Sequence, residues 1–508
     1  MMDQSFVAAI DQGTTGTRFA IFKKDGSIIA YRYMEHEQIY PRPGWVEHDP
    51  VEIWQKTQRI INDACRISGI EPSEIAAIGI TNQRETTVVW DILTGQPYYN
   101  AIVWQCTRTR KICDELKTKG LEPEIKDTTG LYISTYFSGP KIKWILDNVP
   151  DVREAAEKNT AVFGNMDTWI IWNLTGGPKG GSHTTDYTNA SRTMLMDLRR
   201  LQWDEEILEE LDIPPQMLPE IHPSSDKETY GYTSKDGVFG VEMPVCGDVG
   251  DQQAAVIGQT CFKRGETKNT YGTGCFMLMN TGEEPIISKH GLITTCAYGF
   301  EKGKPIYALE GSVAIAGAAI QWLRDNLEII KSASETEEIA MSLAEEGSAG
   351  VFFVPAFSGL FAPYWDMYAR GCIIGITRYT KREHLVHATL EAICYQTRDV
   401  LEAMMEDSGM RISKLKVDGG AVVNNYLMQL QSDILGLDVI RPTTTETTSL
   451  GAAYSAGLAI GFWKDLDEIE QNWKADKIFN PKWPDERRQK MYTGWRRAVE
   501  RSMGWVEH

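Results

Sequence analysis

Two turns rich in glycine and threonine, about half a chain apart, carry the clearest chemical signal. The first follows an apolar strand, Val7 to Ile10, and reads Asp11-Gln-Gly-Thr-Thr-Gly-Thr-Arg18. The second reads Lys268-Asn-Thr-Tyr-Gly-Thr-Gly-Cys-Phe276. Glycines let the backbone turn tightly and approach a ligand, and the N–H and hydroxyl groups of such turns donate to phosphate oxygens. Two such turns, with the Asp11 carboxylate beside Mg²⁺, predict an ATP-dependent phosphotransferase.

A candidate catalytic carboxylate lies in Cys246-Gly-Asp248-Val-Gly-Asp251-Gln252-Gln253. Asp251 precedes an alanine-rich helical stretch near mid-chain, where a cleft between two domains is expected. A carboxylate there could accept a hydroxyl proton during phosphoryl transfer. The alternative is that Asp248 and Asp251 are a helix cap and a turn residue.

Arg84 and Glu85 follow a predicted buried strand, Ala76 to Thr81. An adjacent cation and anion offer donors and acceptors side by side, which suits neighbouring hydroxyl groups of a polyol. Trp104 and Tyr136 lie in loops with polar neighbours, where aromatic faces could pack on the C–H face of a polyol. The alternatives are a surface ion pair of little energetic value and ordinary core aromatics.

A third glycine cluster, Asp418-Gly-Gly-Ala-Val-Val-Asn424, lies between a predicted strand, Lys414 to Val417, and a predicted helix, Asn425 to Leu435. This junction would let a nucleotide lie against bare backbone near a helix N-terminus. The sequence lacks both the P-loop pattern Gly-x-x-x-x-Gly-Lys-Ser/Thr and the motifs of protein kinases, which excludes those two classes.

The composition favours a cytoplasmic globular protein. A net charge of −18 argues against nucleic acid as the main partner, and neither a signal peptide nor a membrane-spanning apolar run is present. The nine cysteines form no CxxC pair and no zinc spacing. We therefore expect reduced, buried thiols, and structural or surface roles for the histidines.

At 508 residues the chain is long enough for two domains, and alternating strands and helices predict an α/β fold. The repeated turn implies two domains of one plan, residues 1–255 and 256–508. Asp25-Gly26 and Asn280-Thr-Gly282 predict the next turn of each half. Helices are predicted at Val51–Ile70, at Arg382–Met405, at Leu450–Ile460 after a Thr447 or Thr448 cap, and within the tail Phe479–His508. The small residues of 450–460 would allow close packing on a sheet.

Longer stretches of the chain resemble the FGGY family of carbohydrate kinases. Two family signatures are Tyr136-Phe-Ser-Gly-Pro-Lys-Ile-Lys-Trp-Ile-Leu-Asp-Asn148 and Gly371-Cys-Ile-Ile-Gly-Ile with His384-Leu-Val-His-Ala-Thr-Leu-Glu391. Other similar stretches are Tyr40 to His48, Asn82 to Thr87, Ile102 to Gln105, Thr185 to Thr193 and Ala362 to Asp366. The resemblance implies two actin-like, RNase H-like domains with a deep cleft, and ATP-dependent phosphorylation of glycerol to sn-glycerol 3-phosphate.

The resemblance also implies roles for matching positions. Those that would bind glycerol hydroxyls are Arg84, Glu85, Tyr136, Asp251 and Gln252, with Trp104 and Phe276 packing on its carbons and Asp251 as general base. Those that would line the ATP site are Thr14, Thr15, Gly16, Arg18, Thr273, Gly317, Gln321, Gly420 and Asn424, while Asp11 and Asp251 would hold Mg²⁺. A homodimer or homotetramer is also implied.

The sequence departs from the family at three points. Gly16 stands where a serine is usual, so a backbone donor would replace a hydroxyl near the phosphates. Phe239-Gly-Val-Glu242 has an acid where relatives regulated by fructose 1,6-bisphosphate have an arginine, and residues 230–242 contain no histidine to phosphorylate, so neither regulation is expected. Two alternatives remain: a sister kinase for xylulose, gluconate or erythritol, and an actin-like or Hsp70-like nucleotide switch that binds a partner protein.

Overall fold

The structure is a computed structural model that describes residues 5–227, 230–343 and 346–506. Strands and helices alternate around two mixed β-sheets, one of five strands and one of seven. The predicted α/β class is confirmed.

The first half of the chain contains the smaller sheet and several short ribbons. Its strands are β1 Phe6–Gln12, β2 Gly16–Phe22, β3 Ile28–Glu35, β4 Glu47–His48, β5 Ile75–Asn82, β6 Val88–Asp91, β7 Ala101–Ile102, β8 Ala161–Gly164, β9 Thr184–Asp186, β10 Met196–Asp197, β11 Gln202–Trp203, β12 Glu220–His222 and β13 Val245–Gly250. Its helices are α1 Pro50–Ser68, α2 Arg110–Thr118, α3 Glu122–Thr129, α4 Ser138–Asn148, α5 Val152–Glu157, α6 Met166–Leu174, α7 Tyr187–Ala190, α8 Glu205–Glu210 and α9 Asp251–Gly258.

The second half contains the larger sheet. Its strands are β14 Thr267–Tyr271, β15 Cys275–Gly282, β16 Ile293–Glu301, β17 Lys304–Val313, β18 Phe352–Val354, β19 Cys372–Ile374, β20 Lys414–Asp418, β21 Asp438–Pro442 and β22 Ala475–Phe479. Its helices are α10 Gly317–Asp325, α11 Glu335–Ser342, α12 Arg382–Ser408, α13 Asn425–Leu435, α14 Thr447–Ala459, α15 Leu466–Asn472 and α16 Asp485–Ser502. Short 3₁₀ segments occur at Pro72–Glu74, Gly177–Lys179, Pro215–Met217 and Gly420–Val423.

Both sheets share one plan. In the order β13-β5-β1-β2-β3, β1 is antiparallel to β2 and parallel to β5. In the order β16-β17-β15-β14-β20-β21-β22, β14 is antiparallel to β15 and parallel to β20. Each Gly/Thr turn therefore lies at the edge where the neighbouring parallel strands also end, which brings residues after β5 and β13 to the first turn and residues after β20 to the second.

The predicted turns have different outcomes. Asp25-Gly26 joins β2 to β3 as expected, since these strands pair as an antiparallel hairpin. The turn predicted at 280–282 is wrong, because β15 continues through Gly282 and pairs with β17. Gly282 has φ of 92° at a shift in the register of that pairing, so its conformational freedom serves a bulge instead of a turn.

The predicted helices are present, with shifted ends. Helix α1 begins after Asp49, whose side chain accepts from the Val51 N–H at 2.8 Å, and Gly69 ends it with φ of 72°. Helix α14 is preceded by Glu446 and already includes Thr447, so the predicted threonine cap is wrong. All nine cysteines are free thiols, most of them buried.

Helices α9 and α14 lie between the two sheets and pack almost backbone to backbone. One buried apolar cluster contains residues of both helices, of β1, β2 and β13, and of β15 to β17. A Cβ at Gly451 would be 1.8 Å from the Ala254 carbonyl oxygen, and one at Gly79 would be 2.0 Å from the Ala452 carbonyl oxygen. This contact confirms the predicted close packing of the small-residue helix.

The last helix, α16, is fixed to the second half by a buried carboxylate. Tyr492 donates its hydroxyl to Asp399 Oδ1 at 2.7 Å, and Trp495 donates Nε1–H to Asp399 Oδ2 at 2.8 Å. The predicted tail helix is therefore present, although residues 507–508 lie outside the described ranges. Within those ranges no helix has both the length and the apolar character needed to cross a membrane.

We expect Gly451→Ala to destabilise the protein, because the new methyl group would meet the backbone of α9 at 1.8 Å. Overpacking of this kind costs about 1–3 kcal/mol or more, which thermal unfolding would report as a lower Tm. The control is Gly461→Ala, where a Cβ meets no described atom within 4 Å and only the φ of 72° is strained. Equal Tm values for the two variants would contradict this account of the helix contact.

Candidate active site

The first Gly/Thr turn is closed by a hydrogen bond from the Gly13 N–H to the Gly16 carbonyl oxygen at 2.9 Å. Asp11 and Arg18 face each other in the β1–β2 ladder, with Arg18 Nη1 and Asp11 Oδ2 3.5 Å apart. Arg18 also lies 3.8 Å from Glu446, just before α14. The turn thus presents backbone N–H groups, hydroxyls and a guanidinium to an anion.

The structure gives a steric reason for glycine at position 16. A Cβ there would be 2.5 Å from the Met34 carbonyl oxygen and 2.7 Å from the Tyr33 ring. The Tyr33 hydroxyl is 3.2 Å from Thr15 Oγ1. Tyr33 therefore fills the space that a side chain at position 16 would need, and it brings its own hydroxyl beside the turn.

Thr14 connects the turn to a neighbouring loop. Trp104 donates its Nε1–H to Thr14 Oγ1 at 3.0 Å, and Gln38 donates Nε2–H to the Thr14 carbonyl oxygen, also at 3.0 Å. His48 Nε2 lies 3.0 Å from Gln38 Oε1, so this histidine supports the turn from behind.

Asp11 is buried, and burial raises the pKa of its carboxyl to about 6, with Arg18 opposing the rise and the charge of Asp251 adding to it. Ser449 of α14 donates its hydroxyl to Asp11 Oδ2 at 3.2 Å. Two carboxylates that disfavour each other's charge fit a divalent cation shared with phosphate oxygens. Among the described residues, no group of three or more His, Cys, Asp or Glu side chains is placed to hold a metal ion.

Beside the second turn lies a cavity of about 200 Å³. It brings together four predicted nucleotide residues, Thr273, Gly317, Gln321 and Gly420. Asn424 does not line this cavity: its Oδ1 accepts from the Leu427 N–H at 2.9 Å and caps α13. Its role at a nucleotide stays a prediction.

Arg84 and Asp251 meet at the edge of the first sheet. Arg84 is 2% exposed, and its Nε lies 3.2 Å from Asp251 Oδ1. Asp251 begins α9 and its Oδ1 also accepts from the Gln252 N–H at 2.7 Å. Burial raises the pKa of Asp251, while Arg84 and Lys268 oppose the rise. Because Arg84 and Glu85 are both buried, the alternative of a surface ion pair is wrong.

Lys268 holds Gln252 in place from the second half. Its ammonium donates to Gln252 Oε1 at 2.7 Å, Thr270 Oγ1 at 2.8 Å and the Phe276 carbonyl oxygen at 3.3 Å. An ammonium has three donors, and these contacts use all three. Burial lowers the pKa of Lys268 to about 8. Lys268 is thus arranged to position neighbouring groups.

An aromatic wall lies beside this cluster. The Trp104 ring centroid is 5.5 Å from that of Tyr136 and 6.3 Å from that of Phe276. Burial and the nearby Glu85 raise the pKa of Tyr136, so its hydroxyl stays protonated. Trp104 and Tyr136 also line a cavity of about 400 Å³ that extends to Phe361 and Trp365.

Two buried residues that the sequence analysis did not select, Arg192 and Glu310, complete the cluster. Glu85 adopts φ of 62° and its Oε1 accepts from Arg192 Nε at 2.6 Å. Glu310 accepts from Arg84 Nη1 at 2.6 Å and Nη2 at 3.0 Å, and from Arg192 Nη2 at 3.2 Å. A usable signal did exist, since Glu310 is a lone acid in the apolar strand Ile306 to Val313.

Asp248 lies outside this cluster, fully buried in β13 against Asp167. Asp167 accepts from the Thr185 hydroxyl at 2.7 Å and from Asn82 Nδ2 at 3.2 Å. Both carboxyl oxygens of Asp248 are buried, and the Asp167 carboxyl lies within hydrogen-bonding range of them. Burial raises the pKa of Asp248 well above its usual range, so we assign the shared proton to Asp248 and the charge to Asp167.

Comparison with known proteins identifies the architecture. The sequence models of the FGGY family of carbohydrate kinases match residues 6–258 with the N-terminal domain and residues 267–460 with the C-terminal domain. The glycerol kinase of Caldanaerobacter subterraneus subsp. tengcongensis is 61% identical over 502 residues, 99% of each chain. Glycerol kinase 2 of Thermotoga maritima is 60% identical over 500 residues, 98% of this chain and 99% of its own.

Solved structures agree. Plasmodium falciparum glycerol kinase with ADP matches at a TM-score of 0.91 with 40% identity, covering 99% of both chains. A ligand-bound xylulose kinase from Lactobacillus acidophilus matches at a TM-score of 0.85 with 24% identity, covering 98% of this chain and 99% of its own, which shows a shared fold. The predicted actin-like, two-domain fold class is confirmed, whereas the division between residues 255 and 256 stays a prediction.

The buried pair makes a prediction about pH. The pKa of Asp248 is raised in the folded protein, so the folded protein keeps a proton that the unfolded chain releases above about pH 4. The contribution of Asp248 to the free energy of unfolding therefore falls as the pH rises from about 4 towards the folded pKa. Asp248→Asn is neutral and can still donate to Asp167. We expect its Tm to fall less between pH 5 and pH 8 than that of the unsubstituted protein. A parallel pH dependence of the two Tm values would show that Asp248 is not the proton carrier.

Proposed function

The chain belongs to the FGGY family of carbohydrate kinases, and we propose that it transfers the γ-phosphoryl group of ATP to glycerol, giving ADP and sn-glycerol 3-phosphate. The observation that carries the proposal is the ion pair between buried Arg84 and Asp251, which lies next to the Trp104–Tyr136 aromatic wall and a Gly/Thr turn. The two quoted relatives that are 60% and 61% identical over nearly the whole chain are glycerol kinases, which supports this acceptor.

The acceptor site suits a small neutral polyol. Arg84, Tyr136 and Gln252 would donate to hydroxyl oxygens, while Glu85 and Asp251 would accept from hydroxyl groups. Trp104 and Phe276 would pack on the carbon backbone, where their rings enclose a short chain. The buried carboxylates disfavour an anionic acceptor such as gluconate. A buried cluster of this kind also favours a small-molecule acceptor over a partner-protein switch.

Asp251 would act as general base. As the glycerol 3-oxygen forms its bond to the γ-phosphorus, the bond from that phosphorus to the ADP oxygen breaks and the hydroxyl proton passes to Asp251. Burial raises the pKa of Asp251 and makes its carboxylate more basic, while Arg84 keeps it ionised before the reaction.

ATP would lie between the two Gly/Thr turns. Thr14, Thr15, Gly16 and Arg18 would contact phosphate oxygens from one side, and Thr273 from the other. Gly317, Gln321, Gly420 and Asn424 would surround the rest of the nucleotide. Asp11 and Asp251 would hold Mg²⁺, which when bound supplies positive charge opposite the phosphate oxygens.

The proposed domains are residues 1–255, which carry most of the glycerol site, and 256–508, which carry most of the nucleotide site. Closure of one on the other would exclude water and align the 3-hydroxyl with the γ-phosphate. We propose a homodimer or a homotetramer as the assembly.

The test of the function is ADP release with Mg-ATP against glycerol, dihydroxyacetone, erythritol, xylulose, gluconate and no acceptor. We expect strong turnover with glycerol and a product identified as sn-glycerol 3-phosphate. Preference for another acceptor would replace glycerol in the proposal, and ATP hydrolysis independent of any acceptor would favour a nucleotide switch.

Asp251→Asn should leave ATP binding near normal and lower turnover by about 10²–10⁴-fold, the scale of a lost general base. Steady-state kinetics and nucleotide binding by calorimetry would measure the two effects. Asp248→Asn, the same change three positions earlier in the chain, is the control and should retain turnover. Near-normal turnover of Asp251→Asn would remove Asp251 from this role.

A further inference from the structure

We propose that Glu310 is a positioning residue of the acceptor site, reaching from the second sheet to orient Arg84 and Arg192 of the first half. This inference rests on the proposed function. Glu310 lies in β17, paired with Leu278 on one side and Ile293 on the other. Arg84 and Arg192 come from the segments after β5 and α7. The Glu310 carboxylate is 0% exposed, so its contacts with them are made away from water.

The contact with Arg84 fixes the plane of the guanidinium. Two parallel bonds join Arg84 Nη1 and Nη2 to the two Glu310 oxygens at 2.6 Å and 3.0 Å. Arg84 Nη1 also donates to Gln253 Oε1 at 3.1 Å. These bonds use three of the five N–H groups of the guanidinium and leave its Nε edge turned towards Asp251, with Nε 3.2 Å from Asp251 Oδ1.

Arg192 is held by the same carboxylate. Its Nη2 donates to Glu310 at 3.2 Å while its Nε donates to Glu85 at 2.6 Å, and its guanidinium carbon lies 5.4 Å from the Tyr136 ring centroid. Glu310 therefore sets the position of Arg192, and through it Glu85 and the edge of the aromatic wall.

The charge of Glu310 is needed as well as its shape. Both buried guanidiniums contact Glu310, and without its charge Arg84 would rely on the partly exposed Asp251, and Arg192 on Glu85, for an anionic partner. Burial opposes ionisation of Glu310, yet Arg192 and Arg84 lower its pKa to about 2. The carboxylate is thus ionised at every pH where the enzyme would work.

The strand that carries Glu310 also supports the nucleotide side. Three residues after Glu310, the Val313 carbonyl oxygen packs closely against Gly274 of the second turn. A Cβ added to Gly274 would be 2.4 Å from that oxygen. The Ala316 N–H then donates to the Thr273 carbonyl oxygen at 2.9 Å. A shift of this strand would move Glu310 and the second Gly/Thr turn together. Through Glu310, acceptor binding therefore depends on the position of the second half relative to the first.

The test is Glu310→Gln, which keeps the size of the side chain and removes its charge. We expect KM for glycerol to rise about 10- to 100-fold, the effect of losing a charge-assisted hydrogen bond, with KM for ATP changed by less than about 3-fold. Glu310→Asp keeps the charge but is shorter by one methylene, so it should also raise KM for glycerol selectively. If Glu310→Gln does not fold, Glu310→Asp is the variant that tests the inference.

The split between the two Michaelis constants separates positioning from loosening of the fold. Displacement of Arg84 should raise KM for glycerol and leave KM for ATP nearly unchanged. General loosening would raise both KM values in both variants.

The control is Asp399→Asn, which removes another buried carboxylate of the second half, far along the chain from the site residues. It should lower Tm without a selective change in KM for glycerol. A KM for glycerol within 2-fold of the unsubstituted protein in folded Glu310→Gln, or an equal rise in both KM values, would overturn the inference. Failure of the proposed function would instead be seen in the unsubstituted protein, as absence of glycerol turnover.

Discussion

Five buried or half-buried charges that alternate in sign hold the acceptor site together. Glu85, Arg192, Glu310, Arg84 and Asp251 follow one another at distances between 2.6 Å and 3.2 Å. Burying a charge is costly unless a partner of opposite sign and good geometry is present. Each member therefore depends on its neighbours, and because Glu310 belongs to the second sheet, the row forms only when both sheets are in place. Asp251 is the most exposed member of the row, at 26% against 2% or less for the other four side chains.

The row can form because the two sheets are separated by only two helices of small residues. Gly79, Gly258 and Gly451 let strand and helix backbones approach to distances that exclude any side chain. The same helices begin at the site: α9 starts with Asp251, and α14 follows Glu446 and carries Ser449, which contact Arg18 and Asp11. The close packing of these helices therefore also places the chemical groups of the site, because a wider spacing of the two sheets would separate Asp11 from Asp251.

Local signals in the sequence predict the parts of this arrangement that depend on short stretches of chain. The two Gly/Thr turns, the strand before Arg84 and the start of α9 at Asp251 all follow from residue type and spacing. The partners of Arg84 do not, because Glu310 is 226 residues away and nothing near either residue specifies the pairing. The same limit explains position 16, where the reason for glycine is the Tyr33 ring on the next strand. The turn expected at 280–282 fails for a related reason, since its glycine serves a bulge in pairing with a strand that comes later in the chain.

Asp248 and Asp251 are three residues apart, yet one is a buried carboxyl group that holds a proton and the other is a carboxylate in the site. Asp248 is still in β13, where its side chain is buried in the interior beside Asp167, and burial there raises its pKa well above the usual range. Asp251 is the first residue of α9, beyond the sheet edge, where the Gln252 N–H and Arg84 stabilise a carboxylate. Both have raised pKa values because of burial, but only Asp251 has cationic neighbours that return it to the charged form. Asp251 is available as a base and Asp248 is not, because β13 ends at Gly250 and α9 begins at Asp251.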